Sequence, residues 1–144
     1  MRTSQLLILV PMLMQVALTL TVLVMLGIAR DRDLKQRGLR PDDIALAAPE
    51  AWGEDARKLA ASYKNQFELP LLFFAACLFA HTARLVDFWL LLLAMIFAVS
   101  RMAHAAIHVG PNRVMPRFYA FLVGLVAVAL MWALLAARVA GSGF

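Results

Sequence analysis

Two groups of polar side chains lie beside strongly apolar stretches and hold most of the chemistry that this sequence offers. Asn65 and Glu68 stand three residues apart, directly before the apolar run 71–80, so on a helix they share one face. A carboxylate beside hydrocarbon is costly unless it is paired, and it therefore indicates a functional site.

The second group is a cationic stripe. Arg101, His104 and His108 recur at steps of three and four, which places them on one face of a helix. Arg101 would lie ~13 Å inside the end of that helix at ~1.5 Å per residue, too deep to reach water. Glu68 is the one acid expected at a similar depth, so an Arg101–Glu68 ion pair is the simplest hypothesis.

Further cations have no acid in an equivalent position: Lys64, Arg113 and Arg117. Guanidinium binds carboxylates through paired hydrogen bonds, so unpaired arginines beside a cleft suit an anionic ligand. Zinc is a weaker alternative, because no HExxH glutamate lies between the two histidines and a neighbouring arginine opposes a dication. Catalysis by a nucleophilic serine is not supported, because no serine has an obvious histidine and acid to activate it.

The rest of the chain supplies helices that hold these groups in a membrane. With 63% hydrophobic residues, 16% charged residues and a mean hydropathy of +0.78, the chain is not a soluble domain. The pattern predicts an all-α bundle, one domain over 1–144. Its four transmembrane helices lie at about 4–30, 54–84, 86–109 and 114–140, with a hydrophilic loop one over 31–53. Pro70 predicts a kink in the second helix.

The basic residues set the expected orientation. About eight of them lie between Arg30 and Lys64, in loop one and beside it. This excess predicts that loops one and three (110–113) are cytoplasmic and that both termini lie outside, in a bacterial inner membrane. This placement accounts for the net charge of +5 and argues against nucleic-acid binding. The single cysteine, Cys77, is expected to be a small buried side chain. His81 is expected to be exposed, and the outer half of the bundle nearly featureless.

These residues resemble the MAPEG superfamily, the membrane-associated proteins of eicosanoid and glutathione metabolism. The resemblance covers the chain from about Arg30 onward. It depends on the Asn-x-x-Glu-x-Pro element at 65–70, the Arg-x-x-His element at 101–104, and on Arg113 and Arg117. It implies four-helix protomers in a homotrimer, surrounded by lipid, with glutathione between neighbouring protomers near the cytoplasmic side.

The resemblance also implies residue roles. Arg117 would be catalytic, because a cation near sulfur favours the nucleophilic thiolate. Arginines would hold the carboxylates of glutathione, and its ammonium would lie near a carboxylate and an amide. The residues implied to bind it are Lys64, Asn65, Glu68, Arg101, His104, His108, Arg113 and Tyr119.

Three positions depart from the pattern of active members. Ala61 stands where they have arginine, Phe118 where prostaglandin-synthase-like members have serine, and Phe121 where a tyrosine is usual. Two functions therefore stay open. One is a glutathione-dependent transferase or peroxidase acting on a hydrophobic small molecule from the lipid, and the other a non-catalytic binding or scaffold protein. A transporter is a weaker third, since no inverted repeat or midplane ion site is visible.

Overall fold

The computed structural model describes residues 2–44 and 49–141, and within these ranges the chain is helical, with no strand. Two short 3-10 turns, Pro41–Ile44 and Pro49–Ala51, lie in loop one. The α-helices are α1 (Arg2–Leu7), α2 (Leu9–Arg37), α3 (Glu54–Lys64), α4 (Leu69–Thr82), α5 (Phe88–Val109) and α6 (Val114–Gly141).

Three segments of the described chain are long and apolar enough to cross a membrane: Gln5–Arg37, Phe88–Val109 and Val114–Gly141. They confirm the prediction of an all-α protein with membrane-spanning helices. α4 has 14 residues. At ~1.5 Å per residue it is ~21 Å long, shorter than a ~30 Å hydrocarbon core. That α4 forms a fourth span stays a prediction.

The first long helix extends well beyond its predicted end near residue 30. Two ion pairs at i,i+4 stabilise the added turns, Lys35–Asp31 at 2.7 Å and Arg37–Asp33 at 3.3 Å. The helix ends where Gly38 takes φ +65°, a left-handed conformation that glycine adopts without strain. Loop one is correspondingly shorter than predicted.

Loop one is fastened to the end of α2. The Asp33 carboxylate accepts the Gly53 N–H at 2.9 Å, and the Arg30 guanidinium lies 5.0 Å above the centre of the Trp52 ring. α3 therefore begins at a fixed place beside α2. An ion pair between Glu54 and Lys58 stabilises the first turn of α3. The hydrogen bond from Lys58 also lowers the pKa of the Glu54 carboxyl, which keeps that group charged.

The predicted continuous helix over 54–84 is wrong, because the chain turns at residues 65–68 and forms two helices. Pro70 is the second residue of α4, where a missing N–H leaves no hydrogen bond unmade. The interruption therefore precedes the proline, and the expected kink at Pro70 is absent. Glu68, at φ −88° and ψ −91°, lies outside the helical region and redirects the chain into α4.

Side chains satisfy two carbonyls that the interruption frees. The Gln66 N–H bonds back to the Tyr63 carbonyl at 3.0 Å, and the Ser62 carbonyl accepts the Gln66 side-chain amide at 3.1 Å instead. The Asn65 carbonyl accepts a hydrogen bond from Arg101 Nη2 at 2.9 Å. Hydrocarbon offers no hydrogen-bond partner, so a turn at membrane depth requires such contacts.

The main core lies among α4, α5 and α6. The Phe73 and Phe97 rings stack with centroids 4.2 Å apart, and both side chains are fully buried. Cys77 is buried here as predicted. α6 approaches α5 closely at Gly124, where a Cβ would lie 2.7 Å from Ser100 Oγ. The close packing of α5 on α6 sets the register between their polar residues.

The outer half of the bundle was predicted to hold almost no polar contacts, but the end where α4 meets α5 does hold them. Arg138 of α6 forms an ion pair with Asp87, which also caps α5 by accepting the Leu90 N–H at 2.9 Å. The prediction that His81 is exposed is wrong, because α1 covers this end. His81 is half-buried, and its Nδ1 donates to the Gln5 carbonyl at 3.1 Å.

Candidate functional site

A cavity of about 450 Å³ opens among α3, α5 and α6, at the end where α5 passes into α6. Three helices contribute its polar groups, which brings together side chains that are far apart in the sequence. The lining residues are Ala61, Asn65, His104, His108, Val114, Arg117, Phe118 and Phe121.

Arg117 holds the α5–α6 connection together through both its side chain and its backbone. Its Nη1 donates to Asn112 Oδ1 at 2.7 Å, which fixes the guanidinium beside loop three. Asn112 itself has φ +48°, a left-handed conformation that asparagine tolerates in turns. The Arg117 carbonyl lies 3.0 Å from His104 Nδ1. One residue thus positions a cation and an imidazole in the same wall.

Asn65 is placed by the interruption between α3 and α4. It is the residue directly after α3, and its side-chain Nδ2 lies 3.4 Å from His108 Nδ1. Arg101 donates a hydrogen bond to the Asn65 carbonyl. Arg101 is only 1% exposed and is not among the cavity-lining residues. Arg101 therefore contacts the Asn65 backbone from outside the cavity wall, and its role as a ligand contact stays a prediction.

The predicted Arg101–Glu68 ion pair is not formed at contact distance, although the charge of Glu68 still acts on Arg101. No salt bridge joins the two residues within the described ranges, and Glu68 is exposed to the surroundings of the bundle. In a continuous helix Glu68 would share a face with Asn65. The turn at 65–68 removes that relation, and Arg101 bonds to a backbone carbonyl instead.

Glu68→Ala is consequently expected to leave thermal stability in detergent almost unchanged, within about 0.5 kcal/mol, as for an ordinary exposed residue. Asp87→Ala is the matched control, because it removes an acid that both caps α5 and pairs with Arg138. The control is expected to cost about 0.5–2 kcal/mol. A loss for Glu68→Ala equal to that of the control would restore the ion-pair hypothesis.

The remaining residues implied to bind glutathione lie outside the cavity wall. Lys64, Arg113 and Tyr119 are exposed near the same end of the bundle. Their role as ligand contacts stays a prediction.

All three positions that depart from the family pattern line the cavity. The Phe121 ring lies 6.1 Å from the His104 ring, and Ala61 leaves space where a longer side chain would project. Phe118 is half exposed, so the apolar wall continues toward the lipid. The cavity therefore has a polar side and an apolar side.

A buried chain of amides supports the site and was not predicted as such from the sequence. Gln15 Nε2 donates to Gln66 Oε1 at 2.8 Å, and both side chains are almost fully buried. Each glutamine is an isolated amide within an apolar stretch, which is the signal that could have indicated the pair. Their contact ties α2 to the interruption that carries Asn65.

The electrostatic character of the cavity follows from its lining. One guanidinium, two imidazoles and one carboxamide face it, and the described lining residues include no carboxylate. Such a surface favours an anionic group, which guanidinium binds with charge-assisted hydrogen bonds. A thiol placed beside Arg117 would ionise more readily for the same reason.

These features define an integral membrane protein whose helices enclose a cationic, partly apolar cavity near one end. The chain matches the MAPEG family over residues 8–137, which is most of its length. It belongs to the MAPEG family. No curated protein and no solved structure matches it.

Proposed function

We propose that this protein is a glutathione-dependent transferase or peroxidase that acts on a hydrophobic electrophile. The observation that carries the proposal is the cavity in which Arg117, Asn65 and two histidines converge. Family membership supports glutathione as the ligand, since MAPEG proteins as a group act in eicosanoid and glutathione metabolism.

The cavity offers groups that suit both reactants, glutathione on its polar side and an apolar co-substrate on its other side. Arg117 provides a positive charge for a carboxylate or a thiolate. Asn65 and the imidazoles add hydrogen-bonding groups around it. On the other side, Phe118 and Phe121 provide aromatic surface on which an apolar co-substrate can pack. A hydrophobic electrophile entering from the lipid would meet the thiolate at the boundary between the two sides.

The finer architecture belongs to the same proposal. α3 and α4 together would form a fourth, interrupted span, and the protein would assemble as a homotrimer. Lys64, Glu68, Arg113 and Tyr119 are exposed near the cavity end, so a neighbouring protomer could bring such residues to a shared site. The basic loops would face the cytoplasm of a bacterium, across its inner membrane.

Calorimetric titration of glutathione into the purified protein in detergent tests the proposal. We expect micromolar to low-millimolar binding to the wild type. Arg117→Ala is expected to weaken it about tenfold or more, since a hydrogen bond to a charged group contributes about 1.5–3 kcal/mol.

Arg32→Ala is the matched control for loss of one positive charge. Arg32 lies on the exposed end of α2 and is not a lining residue of the cavity. Its removal is expected to leave binding unchanged. Absence of binding to folded wild-type protein at saturating glutathione would contradict the proposed function.

The second function, a non-catalytic binding or scaffold protein, is favoured by one specific observation. Four of the lining residues are apolar, and three of these replace polar residues of active members: Ala61, Phe118 and Phe121. If glutathione does not bind, this wall supports a lipophilic ligand as the cavity's occupant.

A further inference from the structure

One polar atom in the cavity wall has no hydrogen-bond partner in the described chain. It is Nε2 of His104, and the atom is buried. The His104 side chain is 5% exposed and lines the cavity. An unpaired buried polar atom is destabilising, and more so in a membrane protein, so a group bound in the cavity that paired with Nε2 would remove this penalty.

The other ring nitrogen fixes what this atom can do. Nδ1 of His104 lies 3.0 Å from the Arg117 carbonyl, which can only accept a hydrogen bond. Nδ1 must therefore carry a proton and donate it. In the neutral ring the proton-bearing Nδ1 leaves Nε2 with a lone pair, so Nε2 is an acceptor that needs a donor or a proton.

The surrounding charges bear on proton transfer to this atom. Arg101, Arg117 and His108 are the titratable groups whose charges act on His104 from α5 and α6. Burial of the ring and these three groups oppose a positive charge on His104, so without a bound anion the ring is neutral and Nε2 has a free lone pair. An anion formed beside His104 would offset their positive charge, and a thiolate is such an anion.

We propose that His104 is the general base of the reaction and takes the thiol proton of bound glutathione at Nε2. This inference rests on the proposed function. The S–H bond breaks, an N–H bond forms at Nε2, and the electron pair stays on sulfur as a thiolate beside Arg117. The Arg117 carbonyl orients the ring and stabilises the imidazolium through Nδ1–H, as the third group does in a nucleophile–base–orienter set.

With an aryl chloride as the electrophile, the step balances without any further reactant. The thiolate sulfur forms a bond to carbon, the carbon–chlorine bond breaks, and chloride leaves with the bonding pair. The imidazolium of His104 then returns its proton to water. Arg117 stabilises the thiolate by its charge but removes no proton, so the two residues have separable effects.

Proton counting on the wild-type protein tests the assignment without any variant. Glutathione binding is titrated in buffers of different ionisation enthalpy, and thiolate formation is followed by its ultraviolet absorbance. We expect a bound thiolate with no net proton released, because His104 retains the proton. A bound thiolate with release of one proton per glutathione would overturn the role of His104, as would bound glutathione that stays a thiol.

His104→Asn provides the second measurement. The asparagine amide can still donate to the Arg117 carbonyl, but the variant lacks Nε2. It is expected to bind glutathione within about threefold of the wild type, while turnover of the aryl chloride at neutral pH falls about 10²–10⁴-fold, the usual contribution of a general base. Its activity should rise with pH as free thiol ionises.

His81→Asn, at the opposite end of the bundle, is the matched control and is expected to retain wild-type turnover. His104→Asn with wild-type turnover and thiolate absorbance would show that His104 only positions α6. Wild-type protein that binds no glutathione would contradict the proposed function itself, a result distinct from either failure of His104.

Discussion

Phe73→Ala is expected to lower the free energy of unfolding by about 3–5 kcal/mol, the usual range for a buried phenylalanine. The Phe73 ring is fully buried between α4 and α5 and stacks on Phe97. Truncation would remove that contact and leave a cavity that the neighbouring helices can only partly fill. The measurement is thermal or denaturant unfolding of the purified protein in detergent.

Phe88→Ala is the matched control, because Phe88 is 68% exposed at the start of α5. It is expected to change stability by no more than about 0.5 kcal/mol. Equal losses for the two variants would mean that α4 is not packed into the bundle as described. That result would also count against α4 as part of an interrupted fourth span.

Gln66→Leu is expected to destabilise the protein by about 1–3 kcal/mol, which is the penalty for leaving a buried polar group unpaired. The change removes the acceptor of the Gln15 amide and the donor to the Ser62 carbonyl. Both groups lie in the bundle interior, where lipid and packed side chains supply no replacement. Stability in detergent and glutathione affinity should fall together, because the same interruption positions Asn65.

The double variant Gln15→Leu, Gln66→Leu separates the two contributions. Removing both amides eliminates the unpaired Gln15 group, so part of the lost stability should return. The Ser62 carbonyl still lacks its partner, and that part of the loss should remain. A double variant as unstable as the sum of the two single variants would show that the glutamines do not interact.

The interruption between α3 and α4 is therefore the structural basis of the site. It places Asn65 next to His108, and Arg101 and Gln66 keep it in place through hydrogen bonds to backbone carbonyls. A polar residue near the cavity can thus be essential without contacting a ligand. Arg101 shows such a supporting contact, because it is buried and donates a hydrogen bond to the Asn65 carbonyl.

Much of the architecture could be predicted from the sequence because it depends on local patterns. Apolar stretches predicted four spans, and three of them are long and apolar enough in the described chain to cross a membrane, since length and hydropathy alone decide that property. The steps of three and four between Arg101, His104 and His108 predicted one helical face, and the structure has all three buried on α5. The same residues led to the family that the chain matches.

The partners of these residues were decided by the tertiary structure. Depth in the membrane suggested Glu68 as the partner of Arg101, but the actual partner is the Asn65 carbonyl. The turn that exposes Glu68 is stabilised by Gln15, 51 residues away from Gln66, and by Arg101, 36 residues away from Asn65. Helical periodicity describes only neighbours within a few residues, so it could not predict a turn held by contacts between distant helices. The sequence therefore determined which chemical groups lie at this depth, and the packing of α2, α5 and α6 decided which of them meet.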